Sequence, residues 1–257
     1  MYMLFLLFFS LASMQAQVAA TVTSGATNVT PNLATSYTSF ANLTTALNNI
    51  TAMTGAVNIQ LSSGTEVAPP KGFTIGSATL NAALTASAGN SGYGGINING
   101  VFVGYNNASN SNLVGGVGTA TAASASPDGI LKLVGADYVG LSYISFIDPT
   151  TNTTPTTAME FGVALFKASP TDGCQHNYID TNFFTMQRLN TTVGTAPMIG
   201  EAAIIIVNSL PTAAVASITP TSNSGASTDN DIRNNDINGG ANGISLYGYT
   251  AQLRTIL

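Results

Sequence analysis

Three stretches of this sequence can be laid over one another: YVGLSYISF (138–146), NYIDTNFFT (177–185) and NDIRNNDIN (230–238). In each, an apolar residue (Leu141, Ile179, Ile232) is followed five positions later by another (Phe146, Phe184, Ile237). A flat strand sends alternate side chains to opposite faces, so residues an odd number apart face one core only if the backbone bends between them. Each stretch therefore reads as strand, corner, strand. Ile144, Asn182 and Asn235, three positions after the first apolar residue, fall at the corner.

A second kind of strand precedes each of these stretches: ILKLVG (130–135), GVALFKA (162–168) and AIIIVNS (203–209), with GISLYGY (243–249) opening a fourth round. The connections vary from 7 residues, Ile237 to Ile244, to 28, Ile204 to Ile232. Such variation fits loops thrown out from a regular repeating core, because loop length costs little once the ends are fixed. A β-sandwich is the alternative, and it requires antiparallel hairpins with two-residue turns, for which the turn signals near the repeats are weak.

Composition points to an all-β chain. Only 7% of the 257 residues are charged while 45% are hydrophobic, so solubility rests on Thr, Ser and Asn, interleaved with 26 Gly. Short polar side chains and glycine suit strands and tight turns better than long helices. With a net charge of −5 and only 6 scattered Lys and Arg, no basic patch can neutralise a run of phosphates, and nucleic acid is not an expected partner. Cys174 is the only cysteine and His176 the only histidine, so an internal disulfide is excluded and any metal would rest on carboxylates.

Residues 1–17 read as a secretory signal peptide. The apolar run LFLLFFSL (4–11) is as long as the hydrophobic segment of such a leader and too short to span a bilayer as a ~20-residue helix. No integral membrane segment is expected once it is cleaved, and the mature chain is expected to be secreted or at the cell surface. Residues 18–127 are expected to form a cap and the first coils, and residues 128–257 the regular coils, cut short at the C-terminus.

The cap carries the one clear helical period. Phe40, Leu43, Leu47 and Ile50 share one face within residues 38–53, Thr38 or Ser39 can cap the first turn, and Gly55 is placed at the C-terminal stop. Val57, Ile59 and Leu61 then alternate as a strand, so the helix is expected to lie as a lid over an open sheet edge. Residues 74–104 read as short β-like pieces (FTIGSATL, INING, VFVGY), and Asn106 to Ser126 as a loop or insertion.

The phrases DGILKLVGADYVGLSYISF, MEFGVALFKASPTDGCQHNYIDTNFF and NNDINGGANGISLYGY resemble the right-handed parallel β-helix, or pectin-lyase-like, architecture of secreted surface proteins that carry C-terminal sorting domains. The likeness covers residues 128–250. It implies parallel strands stacked about 4.8 Å apart, inward aliphatics and corner asparagines bonded into ladders. By that analogy Asn182 and Asn235 are ladder residues, and Ile144 interrupts the ladder.

Enzymes of this architecture that cleave acidic polysaccharides use clustered Asp residues, or Ca²⁺ held by carboxylates beside a Lys or Arg. The densest acidic cluster here is Asp229, Asp231 and Asp236 around Arg233. Asp231 and Arg233 flank the inward Ile232 and should point outward together, giving a catalytic or Ca²⁺ candidate, with Asp180 on the same face if the corners stack. The blander alternative is a solvated strand edge with an ion pair contributing under about 1 kcal/mol. Asp128, Asp137, Asp148, Glu160 and Lys167 read as turn or surface residues. A Cys174/His176 pair lacks an orienting third group. Tyr143, Tyr178, Tyr247 and Tyr249 could stack on sugar rings if they share a face.

Two functions stay open at this point. One is a non-catalytic structural, adhesive or glycan-binding domain outside the cell, whose partner is an extracellular polysaccharide or cell-surface glycan, with no cofactor beyond a possible Ca²⁺. The other is a polysaccharide lyase or glycoside hydrolase acting on acidic glycans. The charge-poor composition and the lack of a convincing acid/base pair favour the first.

Overall fold

Alternating apolar side chains and αL corner residues divide this chain into short strands that follow one another in threes. The computed structural model describes residues 17–69, 71–86, 95–105, 107–119, 128–189, 202–211 and 218–247. Before the threes begin come β1 (Ala20–Ser24), β2 (Val29–Thr30), β3 (Ser36–Tyr37), α1 (Phe40–Asn48) and β4 (Ala52–Met53). The first tier is β5 (Val57–Leu61), β6 (Gly64–Val67) and β7 (Phe73–Ile75). Helix α2 (Ala78–Ala86) leads to the second: β8 (Ile96–Asn99), β9 (Ser111–Val114) and β10 (Gly129–Val134). The third is β11 (Val139–Ser142), β12 (Ser145–Ile147) and β13 (Phe161–Phe166), and the fourth β14 (Tyr178–Asp180), β15 (Phe183–Met186) and β16 (Ala202–Ile206). The last holds β17 (Asp231–Arg233), β18 (Asp236–Gly239) and β19 (Asn242–Leu246).

First members of the tiers pair with first members, second with second, third with third, always in parallel. The result is three parallel sheets, and the class is mostly β, as composition indicated. Leu141 aligns with Ile179 and Ile179 with Ile232, while Phe146, Phe184 and Ile237 align in the next sheet. The odd interval is thus a bend between two sheets. Antiparallel pairing, which a sandwich of hairpins requires, is confined among the described residues to β1 with β3 and β5, β2 with β4, and one bridge at Ser169 and Asp172.

The bend has a definite backbone form. Tyr143, Thr181 and Asn234 occupy it with φ of 59°, 53° and 52°, and Tyr138, His176 and Asp229 hold the same left-handed conformation at the other end of the first sheet, with φ of 54°, 55° and 57°. Asn and Asp tolerate this region, whereas a β-branched residue is strained there by roughly 1–2 kcal/mol. Thr181→Asn is accordingly expected to stabilise the protein by about 1 kcal/mol, read as a higher midpoint in urea unfolding; an unchanged or lower midpoint would show that Thr181 is not strained.

The N-terminal end of the sheets is closed. Phe40, Leu43, Leu47 and Ile50 are fully buried, and Phe40 meets Phe73 edge-on with ring centres 4.9 Å apart. Ser39 caps α1 by accepting from the Asn42 amide, and the buried Glu66 carboxylate accepts from the amides of Phe40 and Ala41 at 2.7 and 2.9 Å. An anion fits there because the first-turn amides lack partners within the helix and the dipole favours negative charge.

Several local expectations are corrected. Asn49, not Gly55, ends α1, because β4 follows within three residues and pairs with β2. The last three residues of SATL open α2, with Ser77 just before it accepting from the Leu80 amide, and Leu80, Ala83 and Leu84 bury one side. VFVGY (101–105) forms no strand, and the stretch read as a loop after Asn106 contains β9, whose Leu113 joins the core. Asp128, Asp137, Asp148, Glu160 and Lys167 are buried rather than at the surface. Glu160 accepts from the Asp128 amide and Asp148 from Asn152 and Met159, so these carboxylates hold turns from inside. The expected leader, residues 1–17, lies outside the described residues except for Gln17.

Candidate functional site

Parallel register turns the outer face of the first sheet into two rows of side chains. One runs Asn58, Asn97, Gly140, Tyr178, Asp231; the other Gln60, Asn99, Ser142, Asp180, Arg233. Both rows alternate with the inward Ile59, Ile98, Leu141, Ile179 and Ile232, so burial of the apolar row displays the polar ones. Gly140 leaves a dent between Asn97 and Tyr178, where a Cβ would come 2.9 Å from Asn97 Oδ1. Two shallow hollows of about 200 and 370 Å³ share Asn97, Gly140 and Tyr178, forming one continuous trough.

The trough is neutral at one end and charged at the other. Asn97 Nδ2 donates to Asn58 Oδ1 and Asn58 Nδ2 to Ser24, so these amides stand in line across the tiers. At the other end Arg233 lies 3.8 Å from Asp180 and 3.5 Å from Asp231, with its guanidinium 4.5 Å from the centre of the Tyr178 ring and donating to the Tyr178 hydroxyl. Asp180 also accepts from Tyr178, Thr181 and Asn234. Arg233 and Asp231 are about half exposed, so water screens the pairs and each contributes under about 1 kcal/mol.

Compared with known proteins, the chain matches no protein-family model, no curated protein and no solved structure.

Asp180, Asp231 and Arg233 come together on this face, and Asp229 borders the same trough. Asp236 does not join them: it lies on β18, in another sheet, where its carboxylate accepts from the Tyr105 hydroxyl and holds that phenol above its ordinary pKa. Asp229, Asp231 and Asp236 therefore do not make a Ca²⁺ cage, and among the described residues no three His, Cys, Asp or Glu side chains gather to hold a metal. Cys174 is buried, its thiol hydrogen bonds to the carbonyls of Leu133 and Phe166, and burial pushes its pKa up. A group so held is a poor nucleophile. His176 instead stacks on Tyr138, ring centres 4.8 Å apart.

The tyrosines do not share a face. Tyr178 lies in the trough under Arg233, Tyr143 projects half-exposed from the bend between the first and second sheets, and Tyr247 follows β19 of the third. Tyr249 lies outside the described residues.

Asn182 is fully buried at the bend. Its Oδ1 accepts from the Ile144 amide at 3.1 Å, its Nδ2 donates to the Leu141 carbonyl at 2.9 Å, and its own amide donates to Asn235 Oδ1 at 3.0 Å. Asn177 repeats this at the opposite end of the strand, accepting from Val139 and donating to Ala136, with Asn230 beyond it. The second pair was not singled out from sequence, although the signal was there. NYIDTN and NDIRNN both begin and end on Asn with the same spacing.

Also unforeseen is an aromatic group on the outer face of the second sheet. Phe102 lies flat on Phe183, and Tyr105 meets both edge-on. Asn110, Asn112 and Asp236 line the hollow beside them.

Proposed function

We propose that this is an extracellular glycan-binding domain, non-catalytic and built as a right-handed parallel β-helix of the pectin-lyase-like kind. Five tiers that visit three parallel sheets in one order support a helical winding, and parallel crossovers within a sheet are right-handed in about 98% of cases. Such winding gives a long face without closing a deep pocket.

The observation that carries the functional reading is the trough over Gly140. Its floor of Asn58, Asn97, Asn99 and Ser142 offers neutral amide and hydroxyl groups at regular strand spacing. Neutral donors and acceptors in a shallow groove match sugar hydroxyls and can exchange for water at little cost. Asp180 is held by four hydrogen-bonding or ionic partners and is placed to fix the floor rather than to move a proton. A chain poor in charge and rich in Thr and Asn, opening on an apolar run, supports export.

The reading is tested by electrophoresis through gels carrying soluble β-glucan, xylan or polygalacturonate. Retardation by at least one of them is expected, with retention in the gel weakened about tenfold in Asn97→Ala, the equivalent of one hydrogen bond of about 1.4 kcal/mol. If Asn97→Ala folds and migrates like the parent in every gel, the trough is not the binding face. Release of unsaturated or reducing sugar ends would show instead that the protein is an enzyme.

A further inference from the structure

A cavity of about 680 Å³ lies where the third sheet ends, walled by Lys167, Asn208, Ser222, Thr228 and Tyr247. Lys167 is 1% exposed and Asn208 4% exposed. They sit side by side on neighbouring tiers, as the Lys167 amide donates to the Ser209 carbonyl at 3.0 Å.

Both side chains have unused donors. An ammonium has three N–H groups, and among the described residues that of Lys167 reaches one hydrogen-bond partner, the Gly225 carbonyl. Among the described residues no carboxylate stands within ion-pair reach of it. Asn208 Nδ2 is buried without an acceptor among the described residues. Lysine is almost never fully buried unless paired, because stripping water from a charge costs far more than a single carbonyl returns. Burial accordingly lowers the Lys167 pKa. One cationic donor and one amide donor beside an open cavity call for an acceptor that carries negative charge.

We infer that this cavity is a binding site for a small carboxylate, one oxygen held by the Lys167 ammonium and the other by the Asn208 amide. Two separate donors suit the two oxygens of a carboxylate, and ionised partners form the stronger class of hydrogen bond. The hydroxyls of Ser222 and Thr228 at the wall can serve polar groups on the rest of the molecule. The site belongs to the third sheet and is separate from the trough on the first, so it stands or falls independently of glycan binding.

The test is thermal unfolding of the full chain in sodium acetate against sodium chloride at equal ionic strength, with sodium phosphate as a third arm. Binding to the native state alone raises Tm by mass action, and acetate at ten times its Kd is expected to raise it by about 3–5 °C over chloride. Lys167→Met keeps the side-chain length, removes the charge and is expected to fold and lose this rise; should it fail to fold, Asn208→Leu is read in the same way. No acetate-specific rise in the parent overturns the inference, as does a rise retained in Lys167→Met or one seen with phosphate alone.

Discussion

Asn182→Leu is expected to lower the stability of this protein by about 3 kcal/mol, a fall in Tm of roughly 6–12 °C. Leucine keeps the branched outline but is larger, so the loss combines missing hydrogen bonds with some overpacking. The substitution strands the Ile144 amide and the Leu141 carbonyl at a position closed to water, while the backbone amide of residue 182 keeps its bond to Asn235 Oδ1. Each buried group left unpaired costs about 1–3 kcal/mol, and small shifts of the backbone recover part of it. Asn235→Leu is expected to cost less, since Asn235 is not buried and water can replace its bond to the Ile179 carbonyl. Because the two side chains share a bond, the double variant should lose less than the sum of the singles. Thermal scans of the four proteins decide the matter: a parental Tm for Asn182→Leu would mean that the bend does not depend on its amide.

The same bend shows what the sequence could and could not convey. The interval from Leu141 to Phe146 was legible because burial of aliphatic side chains is the largest favourable term in folding and leaves a pattern in the chain. The left-handed residue inside the bend was not, since Tyr143, Thr181 and Asn234 share a conformation without sharing a side-chain type. Helix α2 went unread because four alanines and two leucines on nine residues give a faint period, and its buried side is set by contact with β4. Around Lys167 the limit was of another kind. Alternation says which way a strand residue points, but whether that direction meets water depends on segments far away in the chain. The third sheet is buried on both faces: Leu133, Leu165 and Ile204 fill the main core, while Ala164, Phe166, Ile205 and Val207 form a second cluster on the other side. A lysine at the end of such a strand lies under non-local cover, supplied here by residues near Gly225.

The trough was legible in part for the same reason. Once Ile232 is taken as inward, Asp231 and Arg233 must point outward, and stacking of the corners brings Asp180 beside them. Gly140 and the amides of Asn58 and Asn97 could not be joined to that group, because their partnership passes through β8, which lies between long connections with no fixed count of residues. Asp236 was misplaced by its nearness to Arg233 in sequence. Three residues are enough to carry the chain around the bend and onto the next sheet.

Replacing the inward residues around that bend with alanine offers the second large effect. Leu141→Ala, Ile144→Ala and Phe146→Ala are each expected to cost about 2–5 kcal/mol, because all three are fully buried and their neighbours in the tiers above and below cannot close the space. Phe146 should lie at the upper end: its ring stacks on Phe184 with centres 5.0 Å apart, so truncation removes an aromatic contact as well as volume. Ser142→Ala, one position from Leu141 but facing out, is expected to change stability by less than about 0.5 kcal/mol. The set separates a bent backbone from a straight one. In a continuous strand Leu141 and Phe146 would face opposite ways, so one of the two alanine variants would behave like Ser142→Ala. Urea midpoints that fall together for Leu141, Ile144 and Phe146, and stay fixed for Ser142, require the chain to turn between them. A midpoint unchanged for either Leu141→Ala or Phe146→Ala would remove the bend, and with it the stacking that places every side chain of the trough.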